Sequence, residues 1–210
     1  MSSFAERRTQ AQVDLDSLAY NISALRSQSG GAGVLLAVKA DAYGHGQIEV
    51  ARRALSEGVE MLGVSSAQEL IALREAGIEG AVLILEDLFP EEILPTILDD
   101  SARFNVSSYD YARMLSRVAE RSESVVKVHV NLDTGMGRMG LLSDDPVQAV
   151  SEIARLPSIE LEGVFSHFPS ADEEDITFTR EQLICFLKTL QRLEELGIRP
   201  AYRHIANSAA

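Results

Sequence analysis

Residues 34–46, which read VLLAVKADAYGHG, carry a lysine from an unbroken apolar run into a turn punctuated by two glycines. Five apolar residues in succession predict a strand that is buried on both faces, as in a parallel sheet. Gly44 and Gly46 allow the chain to turn closely around a ligand. Lys39 ends this strand, where partial desolvation favours a neutral amine that can attack a carbonyl carbon. Taken alone, Lys39 could simply pair with an acid such as Asp41.

The remainder of the chain repeats one pattern, in which a helix is followed by a glycine and then by a short apolar run. Helical apolar spacing predicts helices at residues 17–29, 47–57, 66–76, 91–98, 108–120, 146–155 and 177–196. Apolar, β-branched runs predict strands at residues 34–38, 61–64, 81–85, 103–106, 125–132, 159–165 and 201–206. Residues 9–15 also alternate like a strand, and Asp16 or Ser17 is expected to cap the first helix.

This alternation of strands and helices predicts an α/β fold built from right-handed βαβ units around a parallel sheet. Seven strands are one fewer than a (β/α)8 TIM-type barrel requires, and 210 residues fall short of the length of about 250 that is typical of such barrels. An open doubly wound sheet would accommodate seven strands and is the alternative.

The composition limits the classes of partner. With 19 basic and 32 acidic side chains, the net charge of −13 repels nucleic acid and anionic membrane surfaces. No apolar run approaches the roughly 20 residues of a membrane span, and the first residues lack the apolar core of a signal peptide, so a cytoplasmic location is expected. The single cysteine, Cys185, falls in an apolar helical pattern and is predicted to be a small buried hydrophobe.

A second glycine-rich segment, residues 126–140 (VKVHVNLDTGMGRMG), runs from an alternating strand into a loop with three glycines around Arg138. Glycines let the backbone approach a ligand, and a guanidinium binds a carboxylate or phenolate in two-pronged fashion. A tight turn with a solvated arginine is the simpler alternative.

Two further strand ends carry polar side chains. His167 follows the sixth predicted strand, although a hydrogen-bonded core histidine would look the same. His204, Asn207 and Ser208 lie at the end of the seventh, where barrels commonly bind phosphate, although Asn207 and Ser208 could equally cap a helix.

Taken in order, these segments resemble alanine racemases, and the resemblance covers nearly the whole chain from residue 13 to residue 210. It implies a pyridoxal 5′-phosphate (PLP) binding (β/α)8 barrel at residues 15–210, incomplete after its seventh strand. Residues 1–14 would pair with the C-terminal β-domain of the family, which this chain does not supply.

The resemblance also implies roles for individual residues. Lys39 would hold PLP as a Schiff base and act as the base on the D-face of the substrate. Arg138 would contact the phenolic oxygen of PLP and the substrate carboxylate, and His167 would stack on the pyridine ring. The phosphate contacts would fall to Tyr43, Asn207 and Ser208.

Two further residues would not contact PLP directly but would lie next to arginines that do. Asn131 stands where many family members carry a lysine, often carbamylated, so an anion such as chloride would have to sit beside Arg138. His204 resembles a histidine that supports an arginine at the pyridine nitrogen, and that arginine would lie beyond residue 210.

The function implied is PLP-dependent racemisation of L- and D-alanine, which supplies D-alanine for peptidoglycan. The second base, a tyrosine from the partner subunit of a homodimer, would be missing from these residues. The expected partner is a small amino acid, with no nucleic acid and no membrane. Alternatives are a non-catalytic PLP-binding barrel, a decarboxylase of basic amino acids, a racemase for serine or another amino acid, and an α/β domain without a cofactor.

Overall fold

A computed structural model describes residues 11–210 of the chain. Its helices are α1 (Leu15–Gln28), α2 (Lys39–Gly44), α3 (Gln47–Ser56), α4 (Ala67–Glu75), α5 (Pro90–Ile93), α6 (Tyr109–Arg121), α7 (Pro146–Ile153) and α8 (Thr177–Glu195). Its strands are β1 (Leu35–Ala37), β2 (Met61–Val64), β3 (Val82–Ile84), β4 (Ala102–Val106), β5 (Val126–Asn131), β6 (Ile159–Phe165) and β7 (Tyr202–His204).

The seven strands form one parallel sheet in which each strand pairs with the next along the chain, in the order β1-β2-β3-β4-β5-β6-β7. A doubly wound sheet reverses its strand order at a switch point, and this sheet does not, so that alternative is wrong. Right-handed connections made always in one direction place the helices on one face, and the sheet curls. The fold is a seven-stranded half-barrel, and within residues 11–210 no hydrogen bond joins β7 to β1.

The core lies between the sheet and its helices. Strands β2, β3 and β4 are buried along their whole length, and β2 and β3 have no polar side chain. The helices contribute one apolar stripe each. In α6, Ala112, Leu115 and Ala119 recur at spacings of three and four residues and are fully buried.

The predicted strands are confirmed to within two residues at every end, and the predicted helices nearly as well. The helix expected at residues 91–98 is the exception, because α5 ends at Ile93. Pro95 has no backbone N–H and cannot continue the helical hydrogen bonds.

The start of the described chain differs from the prediction. The cap of α1 is Asp14, not Asp16 or Ser17, because the Asp14 carboxylate accepts hydrogen bonds from the backbone N–H groups of both residues at 2.9 and 3.1 Å. Residues 11–14 form no strand, since no other strand pairs with them. Thr9 and Gln10, the first residues of that predicted strand, lie outside the described part of the chain.

The prediction that Cys185 is buried is wrong, because its side chain is exposed on α8. The buried stripe of α8 consists of Gln182, Phe186, Thr189 and Leu193. The apolar residues Leu183, Ile184 and Leu187 that suggested burial are exposed, as Cys185 is. We call these four residues the outer face of α8. A helix with apolar residues on two sides cannot be oriented from periodicity alone.

None of the helices described is both long and apolar enough to cross a membrane.

Gly163 of β6 allows that strand to lie directly against a buried histidine of β5. The two residues are register partners beside an irregularity in the pairing, and His129 is fully buried. A Cβ added at Gly163 would lie 2.5 Å from His129 Nδ1 and 2.6 Å from its Cγ, distances that real Cβ atoms do not show.

We therefore expect Gly163→Ala to lower the free energy of unfolding by about 1–3 kcal/mol, the usual cost of overpacking a core. Urea denaturation followed by circular dichroism measures the change. The control is Gly33→Ala, whose new Cβ would meet only the Glu60 side chain, at 3.2 Å and beyond. Equal midpoints for the two variants would contradict the close packing of His129 against β6.

Candidate functional site

The candidate site lies at the carboxyl edge of the sheet. Because all the strands are parallel, the segments that follow β1, β5, β6 and β7 emerge at this edge. They carry Lys39, Arg138, His167 and the pair Asn207 and Ser208, respectively. The fold thus brings the predicted site residues to one edge from four separate parts of the chain.

Lys39 opens a turn with unusual backbone geometry. Residues Ala40, Asp41, Ala42 and Tyr43 have φ angles of 51°, 55°, 52° and 56°, so α2 is a left-handed turn. The left-handed conformation costs an L-residue roughly 1–2 kcal/mol, and four in succession without glycine are exceptional. The sequence predicted a turn here but not its left-handed conformation at residues 40–43, since the glycines that signal such geometry come only at Gly44 and Gly46.

Backbone and side-chain hydrogen bonds close this turn. The N–H of Ala42 donates to the Val38 carbonyl at 3.0 Å, and the N–H of Gly46 donates to the Asp41 carbonyl at 2.9 Å. The Asp41 carboxylate accepts from the N–H of Gln47 at 2.7 Å, at the start of α3. Asp41 is thus used within the turn itself. Lys39 is half-buried, and the Tyr43 side chain is 61% exposed.

The loop after β5 is closed on itself and presents Arg138 to solvent. The Asp133 carboxylate accepts from the N–H groups of Gly135 and Gly137 at 2.9 and 3.1 Å. The N–H of Leu141 returns to the Asn131 carbonyl at 2.6 Å, which closes the base of the loop. Arg138 is exposed at the tip. Asn131 is buried, and no hydrogen bond joins its side chain to Arg138 in the part of the chain that the structure describes.

A polar network ties this loop to the segment after β6. The hydroxyls of Thr134 and Ser166 are 2.7 Å apart, and Ser166 also donates to the Leu132 carbonyl. The Gln182 amide, buried on α8, donates to Thr134 Oγ1 and to the His167 carbonyl, at 3.2 Å each. Nothing in the sequence pointed to these side chains, because the contacts join residues that are distant along the chain.

The pKa of His167 is affected by two other residues that were predicted to bind the cofactor. Partial burial lowers the pKa of its imidazole, and the positive charges of Arg138 and Lys39 lower this pKa further. Burial and these charges favour the neutral form of His167 near pH 7.

The end of β7 is joined to the end of β6 through Asn207. Its amide nitrogen donates to the Phe168 carbonyl at 3.0 Å, and its amide oxygen accepts from the N–H of Ala209 at 3.0 Å. Both ends of this side chain are occupied by backbone, so Asn207 orders the loop. Ser208 is exposed beside it.

A chain of charged and imidazole side chains, buried except for the half-buried His204, lies beneath the site. His204 Nε2 is 3.0 Å from His129 Nδ1, and His129 Nε2 is 3.1 Å from the Glu162 carboxylate. Arg103 donates to both oxygens of Glu162, at 2.9 and 3.1 Å. Only His204 was singled out from the sequence. The other three residues lie mid-strand, where charged side chains give no local signal of a tertiary partner.

Protonation in this chain follows from its surroundings. Burial alone would raise the pKa of Glu162, but hydrogen bonds from His129 and Arg103 and the nearby charges lower it to about 2. Burial lowers the pKa of His204 to about 3, and neighbouring His129 contributes. An ionised Glu162 accepts the proton of His129 Nε2. One hydrogen lies between His129 Nδ1 and His204 Nε2.

Comparison with known proteins agrees with this arrangement. A family model described as alanine racemase, N-terminal domain, matches residues 13–210. The chain belongs to the alanine racemase family. It is 42% identical to the alanine racemase of Clostridium tetani over 95% of this chain and 52% of that protein.

Solved structures of alanine racemases have the same fold. The enzyme from Clostridium difficile 630 is similar with a TM-score of 0.87 at 34% identity, over 93% of this chain and 54% of that one. The Bacillus anthracis enzyme with bound L-Ala-P gives a TM-score of 0.84 at 32% identity, over 94% and 51%. The chain thus spans about half the length of the relatives that it matches.

The pKa of His204 predicts a pH-dependent contribution to stability. Its folded-state pKa of about 3 lies below the value of about 6.5 expected when unfolded. As the pH falls from 7 to 5, the unfolded chain takes up a proton at His204 and the folded chain does not. Stability is therefore lost, by roughly 1–2 kcal/mol.

His204→Gln should lose less stability over this range than the unsubstituted chain, because a glutamine amide can still form a hydrogen bond with His129 but does not titrate. Urea denaturation at pH 7 and at pH 5 measures the difference. His45→Gln, at an exposed position, is the control. An unchanged pH dependence in His204→Gln would contradict the lowered pKa.

Proposed function

We propose that this chain forms the cofactor-binding part of an alanine racemase that interconverts L- and D-alanine with the help of PLP. The observation that carries the proposal is that the segments after β1, β5 and β6, which carry Lys39, Arg138 and His167, all emerge at the carboxyl edge of one parallel sheet. Membership of the alanine racemase family supports the reaction class.

The residues present fit the chemistry of PLP. The cofactor carries a phosphate and an anionic ring oxygen, and the chain, with a net charge of −13, needs local cations and donors to hold them. Lys39 and Arg138 provide the cations, and the exposed hydroxyls of Tyr43 and Ser208 provide donors. The neutral, half-buried imidazole of His167 offers a flat face to an aromatic ring.

When bound, PLP supplies an electron sink that makes the α-proton of an amino acid removable. Lys39 would hold the cofactor covalently until the amine of the substrate takes its place, and the amine of Lys39 thus freed would remove or return the α-proton on the D-face. Arg138 would bind the substrate carboxylate in two-pronged fashion, which fixes the orientation of the α-carbon. Asn207 would present the loop after β7 to the phosphate, and His204 would support the floor of the site. An anion such as chloride would balance Arg138 beside the uncharged Asn131.

The second base would be a tyrosine from a partner subunit, because racemisation needs a proton donor on the opposite face of the α-carbon. We infer that the whole enzyme is a homodimer that works in the cytoplasm on a small amino acid and supplies D-alanine for peptidoglycan. Residues 1–14 would pair with the further β-domain of the family. These statements rest on the family resemblance.

We expect titration of the purified chain with PLP to produce visible absorbance of a lysine-linked cofactor. Borohydride reduction followed by peptide mass spectrometry should place the adduct on Lys39. The matched control is Lys39→Arg, which keeps the positive charge and cannot form the bond. Adducts spread over surface lysines, equal in the two proteins, would overturn the assignment of Lys39.

We expect residues 1–210 with PLP and L-alanine to form D-alanine at a negligible rate, because the second base is not among the residues assigned to the site. Chiral chromatography of the product measures the rate, with L-serine assayed in parallel. Turnover comparable to that of an intact racemase would mean that both bases lie within these residues.

A further inference from the structure

Glu69, in the first turn of α4, contacts the strained turn that begins at Lys39. We propose that Glu69 is a positioning residue for Lys39, which it serves by holding the left-handed turn in place. That Lys39 carries a cofactor rests on the proposed function, whereas the action of Glu69 on the turn does not.

The Glu69 carboxylate bridges the ends of two neighbouring strands. One oxygen accepts a hydrogen bond from the N–H of Ala40 at 2.6 Å, just after β1. The other accepts from the N–H of Ser65 at 2.7 Å and from the Ser65 hydroxyl at 3.1 Å, just after β2. Hydrogen bonds to an ionised carboxylate are stronger than neutral ones. Glu69 therefore ties the turn to the adjacent strand.

This arrangement is not the usual end of a helix. Ser66 caps α4 by accepting from the N–H of Glu69 at 3.2 Å, and in a capping box Glu69 would return to the N–H of Ser66. Instead its oxygens go to Ser65 and to Ala40, 29 residues earlier in the chain. The Glu69 carboxylate therefore does not cap its own helix but binds the turn that begins at Lys39.

The hydrogen bond to Ala40 acts on the conformation of Lys39. The N–H of Ala40 belongs to the peptide bond that follows Lys39, and this bond is planar. Fixing that N–H fixes the plane and restricts rotation about the Cα–C bond of Lys39. The N–H of Ala42 donates to the carbonyl of Val38, on the other side of Lys39, and Glu69 adds a side-chain restraint on the peptide bond between Lys39 and Ala40.

The geometry requires a carboxylate. Three donors converge on its two oxygens, whereas a glutamine amide has one oxygen and would turn an NH2 group toward a donor. Loss of the hydrogen bond from Ala40 to Glu69 removes one of the contacts that offset the cost of the positive φ at Ala40. Glycine at this exposed position would reach the same conformation without the Cβ penalty.

The test is amide hydrogen exchange of the 210-residue chain, read by mass spectrometry on peptides that cover residues 40–47. Glu69→Gln should speed exchange there about tenfold and leave β5 and α6 unchanged. Adding Ala40→Gly to Glu69→Gln should recover much of the lost protection. The control is Glu75→Gln, at an exposed position on the same helix. Exchange of Glu69→Gln at the rate of the unsubstituted chain would overturn the proposal.

A second readout separates this proposal from the proposed function. In the PLP trapping experiment, Glu69→Gln should lower the fraction of adduct on Lys39 several-fold and leave labelling of surface lysines unchanged. If the unsubstituted chain takes no PLP on Lys39, the proposed function fails, and hydrogen exchange still decides the role of Glu69. If Glu69→Gln loosens the turn but leaves the Lys39 adduct intact, the residue stabilises the turn without positioning the lysine, and the proposal is wrong.

Discussion

Parallel pairing of seven strands in chain order is the constraint on which the rest of this structure depends. Since each connection returns in the same direction, the helices are confined to one face and the carboxyl ends of the strands to one edge. Residues 39, 138, 167 and 207 have no proximity in the sequence, and they come together only because each follows a different strand at that edge. A slip of one residue in any pairing would turn a strand's side chains to the opposite face.

The sheet also buries charged side chains, and hydrogen bonds connect them to the residues at the end of β7. An ionised Glu162 is tolerated in the interior because Arg103 satisfies both of its oxygens and His129 donates to one of them. His129 in turn contacts His204, which lies three residues before Asn207 in the loop that would meet a phosphate. The close approach of Gly163 fixes the His129 ring. Packing of the strands and orientation of the site are therefore set by the same side chains.

Much of this could be predicted from the sequence, for identifiable reasons. Apolar periodicity and glycine stops located the strands and helices, and the strand ends then indicated Lys39, His167 and Asn207 as residues that would meet. Three features required the structure. The left-handed turn is built from Ala, Asp and Tyr, which do not signal positive φ. The contacts of Glu162 span 33 and 59 residues, and no local pattern encodes them. The orientation of α8 was misjudged because both of its sides are apolar.

The outer face of α8 makes the chain unusually simple to label. Cys185 is the single cysteine of the chain, and it is exposed. Ile184 and Leu187, which are near it in sequence, are each 52% exposed. A thiol-reactive dye would attach at this one position and emit according to the polarity around it. The emission spectrum of the dye would differ between an outer face exposed to water and one covered by protein. Assembly could therefore be measured without a substrate.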